Sequence, residues 1–279
     1  MNNRLQNIKL IAFDIDGTLT NNHSVISPEN CNALQILETK GYEIALCSGR
    51  QAADIAYVAK QMQLHKFHIL SLNGAYCIHA ACNTPFFSCT LNANAVKQCI
   101  NIFNTQNSVY NCFHGNTLIH NRRPEYEQDP SFWTEERKFR RSLVQQFYGD
   151  DYINEFAIKG FHKITYVNLH DKTELLQLKQ KMMQLSNVDI TSSWDCNFEI
   201  MPQNCNKGIA LLTLAHILQI EKEDILCFGD NENDIPMFDS CFHSVCVSTG
   251  NENAMMKSKY IAKNENYNGV FKFLQQYIL

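Results

Sequence analysis

Hydrophobic positions in this chain gather into short apolar runs that alternate with stretches of helical periodicity. A run that is apolar at every position is typical of a parallel strand buried on both faces, because helices cover both sides of such a sheet. The predicted strands are 8–13, 43–47, 68–72, 225–229 and 244–247, and the predicted helices lie near 28–40, 51–63, 207–218, 234–238 and 269–277. The alternation predicts an α/β fold, with a Rossmann-like parallel-sheet core and helices on both faces.

The middle of the chain has a different sequence pattern from its two ends. Asn73-Gly74 and His114-Gly115 are turn signals, and short β-rich runs lie beside the second of them. Strands are predicted near 109–113, 117–120, 163–169 and 188–191, with helices near 133–147 and 172–185. We therefore predict two domains, a core built from residues 1–80 and 196–279 and an inserted α+β domain at 81–195.

Composition and charge describe an ordinary globular protein and argue against several classes. The 279 residues are 45% hydrophobic and 19% charged, with a net charge of -4 and a pI near 6.2. Nucleic-acid binders usually carry clustered basic residues, so we expect no nucleic-acid partner. No apolar run reaches the roughly 20 residues that span a bilayer, so we expect no membrane partner. No segment of signal-peptide length develops before Asp14, which predicts a cytoplasmic protein.

The cysteines do not have the spacing of a metal site. Twelve are present, and none of them forms the Cys-x-x-Cys pairs of a zinc site. Cys47, Cys227 and Cys246 lie in apolar, strand-like runs. Because a free cysteine behaves as a small hydrophobe, we expect buried thiols that a reducing compartment keeps unpaired.

Two carboxylates follow the first predicted strand directly. Asp14 and Asp16 stand where that strand stops, and ligands of parallel α/β sheets bind just beyond the carboxyl ends of strands. With one residue between them, both side chains can leave the chain on the same side, and Gly17 then lets the backbone turn. One carboxylate could attack a phosphorus atom while the other moves protons. Alone, an Asp-x-Asp spacing is more often an acidic turn between strand and loop.

Three further segments place polar residues after a strand or at a helix start. Ser48-Gly49-Arg50 follows the second predicted strand, and backbone amides there can bind an anion. Lys207 lies near the first turn of a helix, where its charge opposes the helix dipole, so its position indicates an anionic partner. Asp230 and Asp234 follow a later strand and supply hard oxygen ligands.

Together the four segments suit phosphoryl transfer. A carboxylate that approaches a phosphate dianion is repelled, and bound Mg²⁺ together with the Lys207 ammonium would neutralise that charge. Each residue also has a simpler explanation, with Ser48 as a helix cap, Lys207 as solvated helix surface and Asp230 as a turn residue. Their joint occurrence in chain order favours one shared site over coincidence.

In these motifs the chain resembles the haloacid dehalogenase superfamily, and within it the Cof-type phosphatases, which carry a large α/β cap after the third core strand. Asp14-Ile15-Asp16-Gly17-Thr18 is similar to the first family motif, Ser48 to the second, Lys207 to the third and 229–234 to the fourth. Asn73-Gly74-Ala75 resembles the Asn-Gly-Ala found where that cap begins. The resemblance implies that the core is catalytic and that the cap at 81–195 selects the substrate.

The resemblance also implies a role for each site residue. Asp14 would be the nucleophile, Asp16 the general acid and later the base, and Ser48 and Lys207 would hold the phosphoryl group. The implied Mg²⁺ ligands are Asp14, Asp16 through its backbone carbonyl, Asp230 and, through water, Asp234. The remaining predicted phosphate or substrate contacts are Gly17, Thr18, Gly49, Arg50 and Asn233. Residues 250–254 depart from the family pattern and receive no role.

The expected activity is Mg²⁺-dependent hydrolysis of small phosphate monoesters, such as sugar phosphates, through an aspartyl-phosphate. One alternative is a phosphotransferase of the phosphohexomutase type, which would need a bisphosphate activator and would yield an isomer instead of free phosphate. Another is a non-catalytic ligand-binding module, although the complete motif set argues against it. The expected partner is a small phosphorylated metabolite, and both a monomer and a homodimer remain open.

Overall fold

A computed structural model describes residues 5–21, 25–81, 84–128, 130–193 and 195–279. The chain forms two compact units: unit 1 is Met1–Phe87 with Asn206–Leu279, and unit 2 is Ser88–Cys205. The strands of the described residues are, in chain order, β1 (Leu10–Asp14), β2 (Glu43–Cys47), β3 (His68–Ser71), β4 (Tyr76–His79), β5 (Thr84–Ser88), β6 (Tyr110–His114), β7 (Thr117–His120), β8 (Gln145–Tyr148), β9 (Lys163–Val167), β10 (Val188–Thr191), β11 (Asn197–Pro202), β12 (Ile225–Gly229), β13 (His243–Val247) and β14 (Tyr260–Ala262). The α-helices are α1 (Pro28–Thr39), α2 (Ala52–Gln61), α3 (Ala93–Thr105), α4 (Glu135–Ser142), α5 (Asp150–Lys159), α6 (Lys172–Met182), α7 (Lys207–Leu218), α8 (Ile235–Ser240), α9 (Glu252–Lys257) and α10 (Gly269–Tyr277).

Unit 1 is built on an eight-stranded sheet in the order β14-β13-β12-β1-β2-β3-β4-β5. The pairs from β14 to β3 are parallel, and β4 is antiparallel to β3. β1 lies near the centre and is buried at every position, as expected for a strand covered on both faces. The predicted α/β fold with a parallel-sheet core is therefore confirmed.

Alternate residues of β1 pack into two separate hydrophobic cores. Ile11 and Phe13 face one side, where α1, α2 and α10 supply the partners. Leu10 and Ala12 face the other side, where α7 and α8 pack. Because helices cover both faces of this strand, a ligand can reach the residue after Phe13 only from beyond the carboxyl end of β1. That residue is Asp14.

Unit 2 contains a six-stranded sheet in the order β10-β11-β9-β6-β7-β8. One face is apolar and packs on α3, α5 and α6, with Phe103 and Phe198 among its buried rings. The other face carries polar side chains in register across six neighbouring strands: Thr191, Glu199, Thr165, Asn111, His120 and Tyr148. We call this row the polar row. Four of its members are buried: Glu199, Thr165, Asn111 and His120.

Several elements of unit 2 differ from the sequence expectation. The predicted helix 133–147 is two elements, because α4 ends at Ser142 and Gln145–Tyr148 pairs with β7 as β8. The predicted strand 163–169 ends at Val167. Asn168 ends it by accepting hydrogen bonds from the backbone N–H groups of His170 and Asp171 at 3.1 and 2.8 Å. Such local side-chain bonds compete with a sheet ladder.

The unit boundaries at 87/88 and 205/206 lie farther along the chain than the predicted 80/81 and 195/196. On the first side, β4 and β5 extend the unit 1 sheet beyond the Asn73-Gly74 turn. On the second side, β11 pairs with β9 and β10 in unit 2, so residues 197–202 do not belong to unit 1. Within the described ranges, no helix is long and apolar enough to cross a membrane. The described cysteines are free thiols, and Cys47, Cys227 and Cys246 are buried as predicted.

Candidate active site

The polar residues at the carboxyl edge of the unit 1 sheet surround Asp14. Asp14 is the last residue of β1 and is 4% exposed. One of its oxygens, Oδ1, accepts a hydrogen bond from Lys207 Nζ at 2.7 Å. The other, Oδ2, is buried and has no hydrogen-bond partner among the described residues. A buried carboxylate oxygen without a partner is costly unless something positively charged binds it.

Lys207 is fully buried at the start of α7, so it is not the solvated helix surface that its position alone allows. Its ammonium bridges two carboxylates, Asp14 Oδ1 at 2.7 Å and Asp234 Oδ1 at 2.6 Å. Burial alone would lower the pKa of Lys207, but the two carboxylates outweigh burial and raise it above its usual range. The side chain is therefore a permanent positive charge at this edge of the sheet.

The loop after β12 brings two more carboxylates to Asp14. Asp234 is completely buried, and its Oδ2 accepts hydrogen bonds from the backbone N–H groups of Asp230 and Asn231 at 2.9 and 3.1 Å. These two hydrogen bonds link the end of the loop to its start and hold Asp230 at the carboxyl end of β12. Asp14, Asp230 and Asp234 each place an oxygen within 4.8 Å of the others, and we call these three residues the carboxylate cluster.

The charges of the carboxylate cluster are poorly compensated. Burial, and then the Asp234 carboxylate, raise the pKa of Asp14 to about 7, although Lys207 opposes the shift. Burial, and then the carboxylates of Asp14 and Asp234, raise the pKa of Asp230 to about 9. One lysine cannot neutralise three carboxylates, so the cluster keeps protons unless another cation binds.

The cluster fits Mg²⁺ by its donor chemistry. Hard divalent cations prefer carboxylate and carbonyl oxygens, and Mg²⁺ commonly takes one or two carboxylates and keeps several waters. The unpartnered Oδ2 of Asp14 offers one such oxygen, and the Asp230 carboxylate offers another. Asp234 is already committed to Lys207 and two backbone amides. Asp234 is therefore better placed to hold the Mg²⁺ ligands in position than to bind the ion directly.

Gly17 and Thr18 shape the turn that faces Asp230. Gly17 has φ +86°, a backbone conformation that costs other residues strain, and a Cβ there would lie 2.8 Å from Asp230 Cγ. Thr18 is buried and donates a hydrogen bond from Oγ1 to Asp230 Oδ1 at 3.3 Å. Both residues act on Asp230, so the structure places them beside the carboxylate cluster.

Gly17→Ala should weaken Mg²⁺ binding, whereas Gly41→Ala should not. Both glycines have left-handed φ values, +86° and +83°, but a Cβ on Gly41 would meet nothing within 4 Å. We expect each variant to lose about 1–2 kcal/mol of stability through backbone strain. Only Gly17→Ala would also push Asp230 away from Asp14. Thermal unfolding with and without Mg²⁺ checks this, and an equal Mg²⁺-induced shift in both variants would contradict it.

Asp16 is not a member of the carboxylate cluster, and its carboxylate is held by Arg50. Arg50 Nε donates to Asp16 Oδ2 at 2.7 Å, and Nη2 pairs with Oδ1, which makes the contact bidentate. Arg50 Nη1 also lies 3.3 Å from Asp54 Oδ1 on α2. The Arg50 side chain is 8% exposed and that of Asp16 45%. The structure thus joins Arg50 to Asp16, a contact that sequence spacing does not predict.

Ser48, Gly49 and Asn233 meet around Asn73. Ser48 is buried after β2, and its Oγ accepts a hydrogen bond from the backbone N–H of Arg50 at 3.2 Å. A Cβ on Gly49 would lie 3.2 Å from Asn73 Oδ1, and that same oxygen accepts from Asn233 Nδ2 at 3.2 Å. The structure brings these predicted residues together through Asn73, for which the sequence predicts only a turn.

Gly250 and Asn251 support the Asp230 loop, although the sequence assigns residues 250–254 no role. The backbone N–H of Asn251 donates to the Asp230 carbonyl at 2.7 Å, and a Cβ on Gly250 would lie 2.5 Å from that same oxygen. Asn251 also caps α9. A glycine and a capping residue between β13 and α9 are the signal that could have indicated this contact.

Comparison with known proteins agrees with the motifs and the fold. The 5-amino-6-(5-phospho-D-ribitylamino)uracil phosphatase of Bacillus subtilis is 27% identical over an alignment of 297 positions, which covers 96% of this chain and 98% of that protein. The HMP-PP phosphatase of Yersinia pseudotuberculosis is 27% identical over 234 residues, 82% of this chain and 80% of that protein. A solved haloacid dehalogenase-like hydrolase from B. subtilis superposes with a TM-score of 0.83 at 22% identity, covering 98% of this chain and 100% of that one.

The sequence profile of one family spans nearly the whole chain. It is described as haloacid dehalogenase-like hydrolase, and it matches residues 11–274. That range begins inside β1 and ends inside α10, so it includes all four motifs. This chain belongs to the haloacid dehalogenase-like hydrolases, the family that its sequence motifs predict.

Proposed function

We propose that this chain is a Mg²⁺-dependent phosphatase that hydrolyses small phosphate monoesters in the cytoplasm through an aspartyl-phosphate on Asp14. The observation that carries the proposal is the buried Asp14 carboxylate beside Asp230 and Asp234, with one oxygen paired to Lys207 and the other without a partner in the described part of the chain. Membership of the hydrolase family and the phosphatase names of two relatives support the reaction class.

In the first step, a carboxylate oxygen of Asp14 attacks the phosphorus atom of the ester. The bond from phosphorus to the alcohol oxygen breaks, and Asp16 gives its proton to the departing oxygen. Lys207 and Ser48 hold the phosphoryl oxygens as negative charge builds on them. Asp16 is the more exposed of the two carboxylates, which suits it to proton exchange, but its bidentate pair with Arg50 favours the ionised form, so Asp16 must turn away from Arg50 to carry the proton.

In the second step, water attacks the phosphorus of the aspartyl-phosphate. Asp16, now ionised, takes a proton from that water, the bond from Asp14 to phosphorus breaks, and inorganic phosphate leaves. Both residues return to their starting state, so protons and phosphoryl oxygens balance over the cycle. Mg²⁺, when bound, supplies the charge that lets Asp14 ionise beside a phosphate dianion. Asp14, the Asp16 carbonyl and Asp230 are its proposed ligands, with Asp234 in support.

The test is release of phosphate from a panel of phosphorylated metabolites with and without Mg²⁺. The panel includes sugar phosphates. It also includes 5-amino-6-(5-phospho-D-ribitylamino)uracil, because the B. subtilis relative is named as the phosphatase of that compound. We expect turnover that needs the metal. Folded protein that releases no phosphate from any ester would overturn the proposal. Formation of an isomer only with a bisphosphate activator would indicate a mutase.

Mg²⁺ should stabilise the protein more at alkaline pH than at acid pH. Asp14 and Asp230 have raised pKa values of about 7 and about 9, so the folded protein holds protons that the unfolded chain has lost. The stability of the metal-free protein therefore falls as pH rises from about 4 to about 9. A bound cation competes with those same protons.

Thermal unfolding in chelator and in Mg²⁺ at about pH 5.5 and about pH 8.5 measures this effect. We expect the larger Mg²⁺-induced rise in Tm at the higher pH. Asp230→Asn removes the carboxyl with the more strongly raised pKa, so it should reduce the difference between the Mg²⁺-induced Tm shifts at the two pH values. Equal shifts at both pH values would show that Mg²⁺ does not displace protons from this cluster.

We also propose that unit 2 selects the substrate, in the role of a cap domain. Its polar row offers hydrogen-bonding groups on one sheet face, and Thr165 Oγ1 and His120 Nε2 are buried there without hydrogen-bond partners among the described residues. Buried polar atoms of this kind are normally satisfied, so they are suited to a ligand or ordered water.

Thr165→Val should change which esters are hydrolysed, whereas Tyr110→Phe should not. Both substitutions remove a buried hydroxyl that has no partner among the described residues, but Tyr110 faces the apolar side of the same sheet. We expect Thr165→Val to change KM by about 10-fold for some esters of the panel, with the Mg²⁺ dependence unchanged. Identical substrate profiles in the two variants would count against selection by the polar row.

A further inference from the structure

A second cluster of titratable side chains lies in unit 1, at the opposite end of the sheet from Asp14. His68 on β3 is paired directly with His79 on β4, and their Nδ1 atoms are 2.8 Å apart. Glu43 begins β2, with its Oε2 3.0 Å from His68 Nε2. Because β1, β2 and β3 are parallel and Asp14 ends β1, residues that begin β2 and β3 are remote from the proposed chemistry.

The Glu43 carboxylate determines how His68 is protonated. A carboxylate only accepts hydrogen bonds, so His68 Nε2 carries a hydrogen and Nδ1 of the neutral ring presents its lone pair. The contact between the rings is then one N–H···N bond, with His79 Nδ1 as the donor. A lone pair on one nitrogen, with the other N–H held by a carboxylate, is the arrangement found in metal-ligating histidines.

Neighbouring rings hold both imidazoles in place. The His68 side chain is 12% exposed, and its ring meets that of His79 edge-on, with 4.9 Å between centroids. On its other side His79 packs against Phe86, with a centroid distance of 4.6 Å. Burial, and then the nearby His68, lower the pKa of His79. Imidazoles that are already confined by their neighbours lose little entropy when they bind an ion.

We propose that His68 and His79 form a binding site for a divalent transition-metal ion of the nickel or copper type, with Glu43 orienting His68. Two nitrogens bound at right angles, each about 2.0 Å from an ion, are about 2.8 Å apart, whereas tetrahedral zinc would separate them by about 3.3 Å. The proton that the rings share leaves His79 Nδ1 and a proton returns to His79 Nε2, so each ring binds the ion as an imidazole that keeps one N–H. Water completes the coordination.

The site differs in chemistry from the carboxylate cluster. Imidazole nitrogens select nickel, copper and zinc, whereas carboxylate and water oxygens select Mg²⁺. The two sites can therefore be measured separately in one protein, and the inference does not depend on the proposed phosphatase activity. Ni²⁺ is the better probe, because the free cysteines of this chain would reduce Cu²⁺.

Titration calorimetry of the metal-free full chain with Ni²⁺, in millimolar Mg²⁺, tests the proposal. We expect one binding event in the wild type, lost in His68→Gln and in His79→Gln. It should persist in Asp14→Asn and in His65→Gln, which removes an exposed histidine that also contacts a glutamate. Glu43→Gln should weaken binding about 10- to 100-fold, as loss of an orienting carboxylate does.

Two results would overturn the inference: no Ni²⁺ binding by the wild type, or binding by both histidine variants that is as tight as that of the wild type. Circular dichroism shows whether those variants are folded. Ni K-edge absorption of the wild-type complex gives an answer without any substitution, since it should show two imidazole ligands. Fewer than two would equally exclude the site.

Discussion

Replacing Asp14 with asparagine should abolish phosphate release while the protein stays folded. The amide cannot attack phosphorus, so we expect kcat to fall by about 10⁴-fold or more. The fold should tolerate the change, because Asp14→Asn keeps the shape of the side chain and removes a buried charge that Asp234 repels. Near neutral pH and without metal, the variant should be at least as stable as the wild type.

Asp16→Asn provides the contrast that identifies Asp14 as the nucleophile. With p-nitrophenyl phosphate the leaving group needs no acid, so Asp16→Asn should still transfer the phosphoryl group to Asp14 and then stall. Rapid mixing should show a burst of about one equivalent of p-nitrophenol for Asp16→Asn and none for Asp14→Asn. A burst from Asp14→Asn would mean that another residue is phosphorylated.

The parts of unit 1 that the sequence predicts best are those dictated by local pattern. The bounds of β2, β12, α7 and α10 match the predicted ranges, because apolar runs and helical periodicity are read within one element. Candidate residues at strand ends follow from the same logic, since parallel strands bring their carboxyl ends to one edge. The approach of Asp14 and Asp230 is therefore foreseeable from the sequence.

Sequence pattern fails where long-range contacts decide the outcome. Nothing in the residues around Arg50 shows that its guanidinium clamps Asp16, since the two are separated by 34 positions and meet only in the folded sheet. The burial of Lys207 and of Asp14 depends on helices packed from elsewhere in the chain, and the burial of Asp14 is the main cause of its raised pKa. The missed β11 likewise follows from pairing with β9, a partner distant in sequence.

Lys207→Met should destabilise the metal-free protein strongly, and Mg²⁺ should recover part of the loss. Lys207 is fully buried, and its removal would leave the Asp14 and Asp234 carboxylates without their ion-pair partner. Breaking a buried ion pair from one side typically costs about 3–5 kcal/mol. A cation bound at the carboxylate cluster replaces part of the missing positive charge, so the cost should shrink as Mg²⁺ is added.

Lys163→Met is the matched control for this effect. Lys163 forms a buried ion pair with Glu199 at 2.8 Å, each side chain being 4% exposed, and both belong to unit 2. We expect its removal to destabilise the protein by a similar amount in calorimetry, but Mg²⁺ should not repair it, since neither residue belongs to the carboxylate cluster. If Mg²⁺ rescued both variants equally, or neither, the ion would not be bound beside Lys207. Rescue of Lys207→Met alone would show that the cation and Lys207 act on the same buried carboxylates. Each of them then lowers the free-energy cost of the negative charge that Asp14 needs for attack.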